Sequence, residues 1–186
     1  GWQDGDEIIS SPITFVSTNH AIMYERMKPC FADVDEYLCI DPADVEKKIN
    51  DKTRAIMFVG YGGRVGQLDK IIALCKKYGL RLILDAAHMS GTRVNGVFPG
   101  TWEGVDVAVY SFQAVKNLPT GDSGMICFAD EALDKECRMV SWMGINKDTY
   151  ARTTSEGTYK WNYGVDYLGY KYNGNAVMAA IALAQL

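Results

Sequence analysis

An α/β fold with a mostly parallel sheet and helices on both faces is predicted for this chain. Short apolar runs alternate with stretches of helical periodicity along most of its length, which is the pattern of strand–helix–strand units. The composition, 48% hydrophobic and 23% charged residues over 186 positions, supports a buried core large enough for one domain. The third helical stretch spaces Leu68, Ile71, Ile72 and Cys75 along one face, and Gly79 stands where its C-cap belongs.

The elements follow in order. Strands are predicted over Glu7 to Ser11, Lys28 to Val34, Arg54 to Val59, Arg81 to Asp85, Val105 to Phe112 and Gly124 to Ala129. Helices are predicted over Asn19 to Arg26, Pro42 to Ile49, Leu68 to Tyr78 and Glu131 to Trp142. Asp41-Pro42 opens the second of these as a cap followed by an N1 proline. Residues Gly144 to Asp166, rich in Gly, Thr, Asn, Tyr and Trp, suit a long loop over a site. The opening Gly1 to Glu7 reads as a turn into a strand. The closing alanine-rich run from Ala176 to Leu186 has no C-cap glycine, as though a helix were cut across, so we expect a fragment of a longer polypeptide.

Bulk properties exclude several classes. A net charge of −4 with scattered basic residues provides no footprint for nucleic acid. No apolar stretch is long enough to span a bilayer as a helix, so no membrane partner is expected. Cys30, Cys39, Cys75, Cys127 and Cys137 are odd in number and form no Cys-x-x-Cys pair. They read as reduced thiols of a cytoplasmic protein, and with only His20 and His88 no metal centre is expected.

Two residues point to chemistry. Asp85 ends the apolar strand Leu82-Ile83-Leu84 and precedes Ala86-Ala87-His88, so a carboxylate there can approach a flat ligand closely while poorly solvated. Taken alone it could equally cap a helix, and His88 could only cap or pack. Lys116 follows an apolar strand and precedes Pro119-Thr120-Gly121. Desolvation or a cationic neighbour would favour its neutral amine, a nucleophile for carbonyl carbon, although alone it reads as a solvated loop lysine. Both lie where strands of an open α/β sheet run out, which is where such sheets bind ligands. Pyridoxal 5'-phosphate needs a lysine for its aldehyde, an acid for its ring nitrogen, donors for its phosphate and a flat group against its ring. Lys116, Asp85, Ser111 and Phe15 can fill those four roles.

The strings Thr14-Phe15-Val16-Ser17-Thr18, Asp85-Ala86-Ala87-His88, Ser111-Phe112-Gln113-Ala114-Val115-Lys116-Asn117 and Gly169-Tyr170-Lys171-Tyr172-Asn173 resemble, in this order, the DegT/DnrJ/EryC1/StrS family of nucleotide-sugar aminotransferases. The resemblance implies the large domain of the fold type I, aspartate aminotransferase-like enzymes, truncated at both ends. On that pattern residues 1–186 lack the first strand with its phosphate-binding Ser/Thr-Gly-Thr segment, and the C-terminal small domain. It implies a seven-stranded sheet in which Gly124 to Ala129 runs antiparallel beside the lacking strand and so has an open edge.

By the same resemblance Lys116 bonds the cofactor aldehyde, Asp85 partners the ring nitrogen, Phe15 stacks on the ring and Ser111 binds phosphate. His88 stands for a Gln or His beside the phenolic oxygen. Asn173 reaches the cofactor phosphate of the opposite subunit, which implies a homodimer with a shared site. The implied reaction transfers an amino group from an amino acid donor, by family analogy glutamate, to a nucleotide-linked keto sugar. Many members carry Arg in place of Asn173 and Glu-Gly in place of Asp122-Ser123, which bears on phosphate contacts and substrate choice.

Three other readings compete. Gly60-Tyr61-Gly62-Gly63-Arg64-Val65-Gly66 follows a strand as a dinucleotide loop would, but Val65 occupies the last glycine position of that motif. Sugar dehydratases on the same fold replace the lysine by His, against which Lys116 stands. A catalytically idle regulatory or ligand-sensing relative would retain the same residues.

Overall fold

The computed structural model describes residues 2–13, 15–146 and 163–186. Its strands are β1 (Glu7–Ser10), β2 (Lys28–Phe31), β3 (Thr53–Val59), β4 (Arg81–Asp85), β5 (Val107–Ser111) and β6 (Gly124–Phe128). Its helices are α1 (Val16–Tyr24), α2 (Pro42–Lys48), α3 (Leu68–Tyr78), α4 (Glu131–Ser141) and α5 (Ala176–Gln185). The strands form one sheet in the order β2-β1-β3-β4-β5-β6, parallel except for the antiparallel pair β5–β6. The edge position and direction of β6 agree with the family pattern.

Side chains alternate between the two faces of a strand, so each strand serves two cores. On one face Ile9, Ile56, Phe58, Leu82, Leu84 and Ala108 pack beneath α2 and α3, whose Val45, Leu68, Ile71 and Cys75 are buried. On the other, Ile8, Ala55 and Met57 pack with Ile22 of α1 and Met27. Burial pushes the Cys75 thiol up to about 12, so this cysteine is core material and no nucleophile. All five cysteines are free.

Local signals set several ends as expected. The Asp41 side chain accepts the Ala43 N–H at 3.0 Å, with Pro42 at N1. Gly79 closes α3 in the left-handed region at φ 66°.

Four boundaries differ by two residues or more, among them the start of β5, which lies at Val107 rather than Val105. Helix α1 begins at Val16 rather than Asn19, because extended Phe15 serves as its cap and the Phe15 carbonyl accepts the Thr18 N–H. It ends at Tyr24, since Arg26 turns to φ 56°. Strand β2 stops at Phe31 rather than Val34. Asp33 and Asp35 there take the N–H groups of Val34, Tyr37 and Cys39 on their side chains, which makes a turn instead of a ladder. The predicted loop Gly144 to Asp166 lies mostly outside the described residues; at its two ends Ile145 bridges Val165.

Candidate active site

Helix α1 packs its Ile22 against Ile8 of β1 and Ala55 and Met57 of β3, and a cleft opens beside it where β4 and β5 end. In register, Met57 of β3 faces Ile83 of β4, and Val59 faces Asp85, which faces Val109 of β5. Met57, Val59, Ile83, Asp85 and Val109 therefore share the floor of one cleft of about 690 Å³. Phe15, Thr18, Ala87, His88, Ser111 and Lys116 stand in its walls, with Asp122 among the other lining residues. The volume suits a small cofactor together with a substrate group.

Asp85 is half-buried and held on both oxygens. Its Oδ1 accepts the Ala87 N–H at 3.1 Å, and its Oδ2 accepts the Thr18 hydroxyl at 2.6 Å. The strand end supplies the carboxylate, and the turn after it supplies one of its donors. Each oxygen keeps acceptor capacity for a ligand.

Lys116 sits in an excursion between β5 and β6. The excursion is pinched at its base, where the Thr120 N–H bonds the Phe112 carbonyl and the Thr120 and Ser123 hydroxyls meet. The Asn117 amide donates to the Ser90 carbonyl at 3.2 Å, tying this loop to the one that carries His88. From α5, the Gln185 amide donates to the Pro119 carbonyl. Lys116 is half-buried at the cleft wall.

His88 packs edge-on against Tyr61, with ring centroids 5.8 Å apart, and its Nδ1 accepts the Gly62 N–H at 3.2 Å. Gly62 adopts φ 63°, a backbone conformation that favours glycine. The rejected dinucleotide glycines thus have a different task, which is to aim an amide at the imidazole. Burial holds His88 below its ordinary pKa, the Lys116 ammonium adds to that, and Asp85 works against it. The neutral ring accepts at Nδ1, so its Nε2 carries the N–H.

The structure brings together Phe15, Asp85, His88, Ser111 and Lys116 and leaves Asn173 apart. Asn173 is exposed near the start of α5, where its carbonyl oxygen accepts from Lys171 Nζ at 2.8 Å, and it does not line the cleft. Thr18 and the Gly62 amide escaped the sequence reading. Thr18 lies within the Thr14 to Thr18 string, yet nothing local announces a partner 67 residues away.

This donor set fits pyridoxal phosphate. An amine and a carboxylate with spare acceptor capacity face one cleft, Phe15 stands 72% exposed at its wall as a flat apolar surface, and Ser111 offers a hydroxyl. Ala87 keeps the wall beside Asp85 small. Among the described residues no cluster of His, Cys, Asp and Glu could hold a metal ion, and no helix is long and apolar enough to cross a membrane.

A mostly parallel sheet with one antiparallel edge strand, carrying a lysine and an acid at the ends of neighbouring strands, places the chain in the fold type I class of pyridoxal phosphate enzymes. Over residues 1–186 it matches the DegT/DnrJ/EryC1/StrS aminotransferase family, and it belongs to that family. The spore coat polysaccharide biosynthesis protein SpsC of Bacillus subtilis is 39% identical over 183 residues, which cover 98% of this chain and 46% of SpsC. An uncharacterised protein of Methanocaldococcus jannaschii is 36% identical over 185 residues, 99% of this chain and 47% of that one. Among solved structures, the aminotransferase TlmJ from Streptoalloteichus hindustanus aligns with TM-score 0.86 at 33% identity, covering 100% of this chain and 47% of TlmJ. Helicobacter pylori PseC, an aminotransferase involved in the biosynthesis of pseudoaminic acid, aligns with TM-score 0.87 at 26% identity over 100% and 47% of the two chains. The chain thus spans about half the length of the relatives it matches.

Proposed function

We propose that the protein carrying this chain is a pyridoxal 5'-phosphate-dependent aminotransferase that moves an amino group from an amino acid, glutamate, to a nucleotide-linked keto sugar. The observation that carries the reading is the convergence of Lys116 and Asp85 on one cleft at the ends of adjacent parallel strands. Family membership and aminotransferase neighbours such as TlmJ and PseC support it.

When bound, pyridoxal phosphate supplies an aldehyde that takes up amino groups and a ring that accepts an electron pair. The chain's own groups do the rest. Lys116 Nζ would hold the cofactor at its aldehyde, and its free amine would be the base that carries the proton during amino transfer. Asp85 would keep the ring nitrogen protonated, Phe15 would cover the ring and the Ser111 hydroxyl would bind phosphate. The His88 Nε2–H would be the donor beside the phenolic oxygen. The same groups would serve the keto sugar in the opposite direction.

The reading extends to a cytoplasmic homodimer in which residues 1–186 are part of the cofactor-binding large domain and Asn173 serves the partner's phosphate. Its support is family membership and the exposure of Asn173 away from this chain's cleft. The test is borohydride reduction of the intact protein with cofactor, followed by peptide mass spectrometry. A pyridoxyl label on Lys116, absent in Lys116→Ala, together with transfer of labelled nitrogen from glutamate to a keto sugar nucleotide, is the expected result. No label on Lys116, or label without transfer, refutes the reading.

A further inference from the structure

Thr18 is 6% exposed, lies in the first turn of α1, and donates its hydroxyl to Asp85, the cleft carboxylate at the end of β4. Its backbone N–H bonds the carbonyl of Phe15, the residue whose ring forms the cleft wall. One residue therefore touches both groups expected to hold the flat ring, by its backbone on the stacking side and by its side chain on the acid side. Asp85 belongs to β4 and Phe15 to the cap of α1, so Thr18 is the described link between those two elements at the cleft.

We propose that Thr18 is a positioning residue of the cofactor site: its hydroxyl fixes the rotation of the Asp85 carboxylate so that the spare acceptor capacity meets the ring nitrogen under Phe15. This rests on the reading of the cleft as a pyridoxal phosphate site and adds a residue that reading does not use. The geometry explains the choice of side chain. A carboxylate ending a strand rotates about its last bond, and the Ala87 N–H restrains one oxygen only. With Thr18 on the second oxygen both ends of the carboxylate are pinned, and rotation would break two bonds at once. Valine has the shape of threonine without the donor, and serine has the donor without the methyl group.

The test compares cofactor affinity in the intact protein for wild type, Thr18→Val and Thr18→Ser. Each is titrated with pyridoxal phosphate and with the carbocyclic analogue that has CH in place of the ring nitrogen. Loss of a hydrogen bond to a charged group predicts that Thr18→Val binds pyridoxal phosphate about tenfold or more weakly. The analogue has no nitrogen for Asp85 to hold, so Thr18→Val should bind it as wild type does, which also shows that the variant is folded. Thr18→Ser should restore most of the affinity. Equal weakening toward both ligands would mean that Thr18 only supports the helix, and undiminished affinity for pyridoxal phosphate would remove its role altogether; either overturns the inference and leaves the function standing. A wild-type protein that takes up neither ligand would end both.

Discussion

Substitution of Gly60 by alanine should loosen the cleft from behind. Gly60 leaves β3 at φ −77°, a conformation open to any residue, and its N–H bonds the Asp85 carbonyl at 3.0 Å. Backbone strain is therefore not the issue. A Cβ placed there would lie 2.6 Å from Cγ of Met89 and would also overlap its sulfur. Carbon atoms pack best about 3.5–4.0 Å apart, so the overlap approaches an ångström. Met89 is 2% exposed, follows His88 in sequence and belongs to the core under α3. It has little room to yield.

Overpacking of this kind costs about 1–3 kcal/mol, and the flexibility of methionine places Gly60→Ala near ~2 kcal/mol. Urea unfolding of the cofactor-free protein measures the loss. Met89→Ala alone should cost about 2–5 kcal/mol through the cavity it leaves. In that background the added methyl at position 60 enters the vacated space, so Gly60→Ala should become neutral or stabilising, a coupling of about 1 kcal/mol or more. An equal cost in both backgrounds, or no cost in wild type, would refute the packing argument.

Phe15→Ala should leave the urea midpoint of the cofactor-free protein unchanged, because the ring is 72% exposed, while weakening pyridoxal phosphate binding about tenfold through lost stacking. Equilibrium titration checks this, and unchanged affinity would remove Phe15 from the site. Lys116→Met should raise the His88 pKa toward its ordinary value, since the Lys116 charge is one of the two causes that lower it. A proton NMR titration of the imidazole in the cofactor-free protein reads the change directly, and an unmoved titration would mean that the two groups do not face each other. The sign for stability follows. With its folded-state value depressed, His88 takes a proton first in the unfolded chain, so stability is retained above about pH 6.5 and falls as pH drops through the folded-state value. Lys116→Met narrows that window.

The elements whose cause is local were legible in the sequence. Asp41-Pro42 and Gly79 mark helix ends through their own backbone chemistry, and the α3 stripe of Leu68, Ile71 and Cys75 faces the core as its period requires. The first turn of α1 is not legible locally because Val16, Ser17 and Thr18 are weak helix formers, and tertiary bonds hold that turn in place. At the site, Asp85 and Lys116 were legible from their positions at strand ends. The partners that orient the site residues were not, since the Thr18 bond to Asp85 and the Gly62 bond to His88 join distant segments. Asn173 illustrates the reverse case, a residue named by resemblance alone that this chain keeps away from its own cleft.

Strand β4 presents Leu84 to one side of the sheet and Asp85 to the other. Loss or gain of a single residue within Arg81–Asp85 would exchange the two, sinking a carboxylate into oil and offering a leucine where a proton must be held. Length variation among descendants of this sequence should therefore avoid that five-residue stretch altogether and accumulate where the chain leaves the sheet.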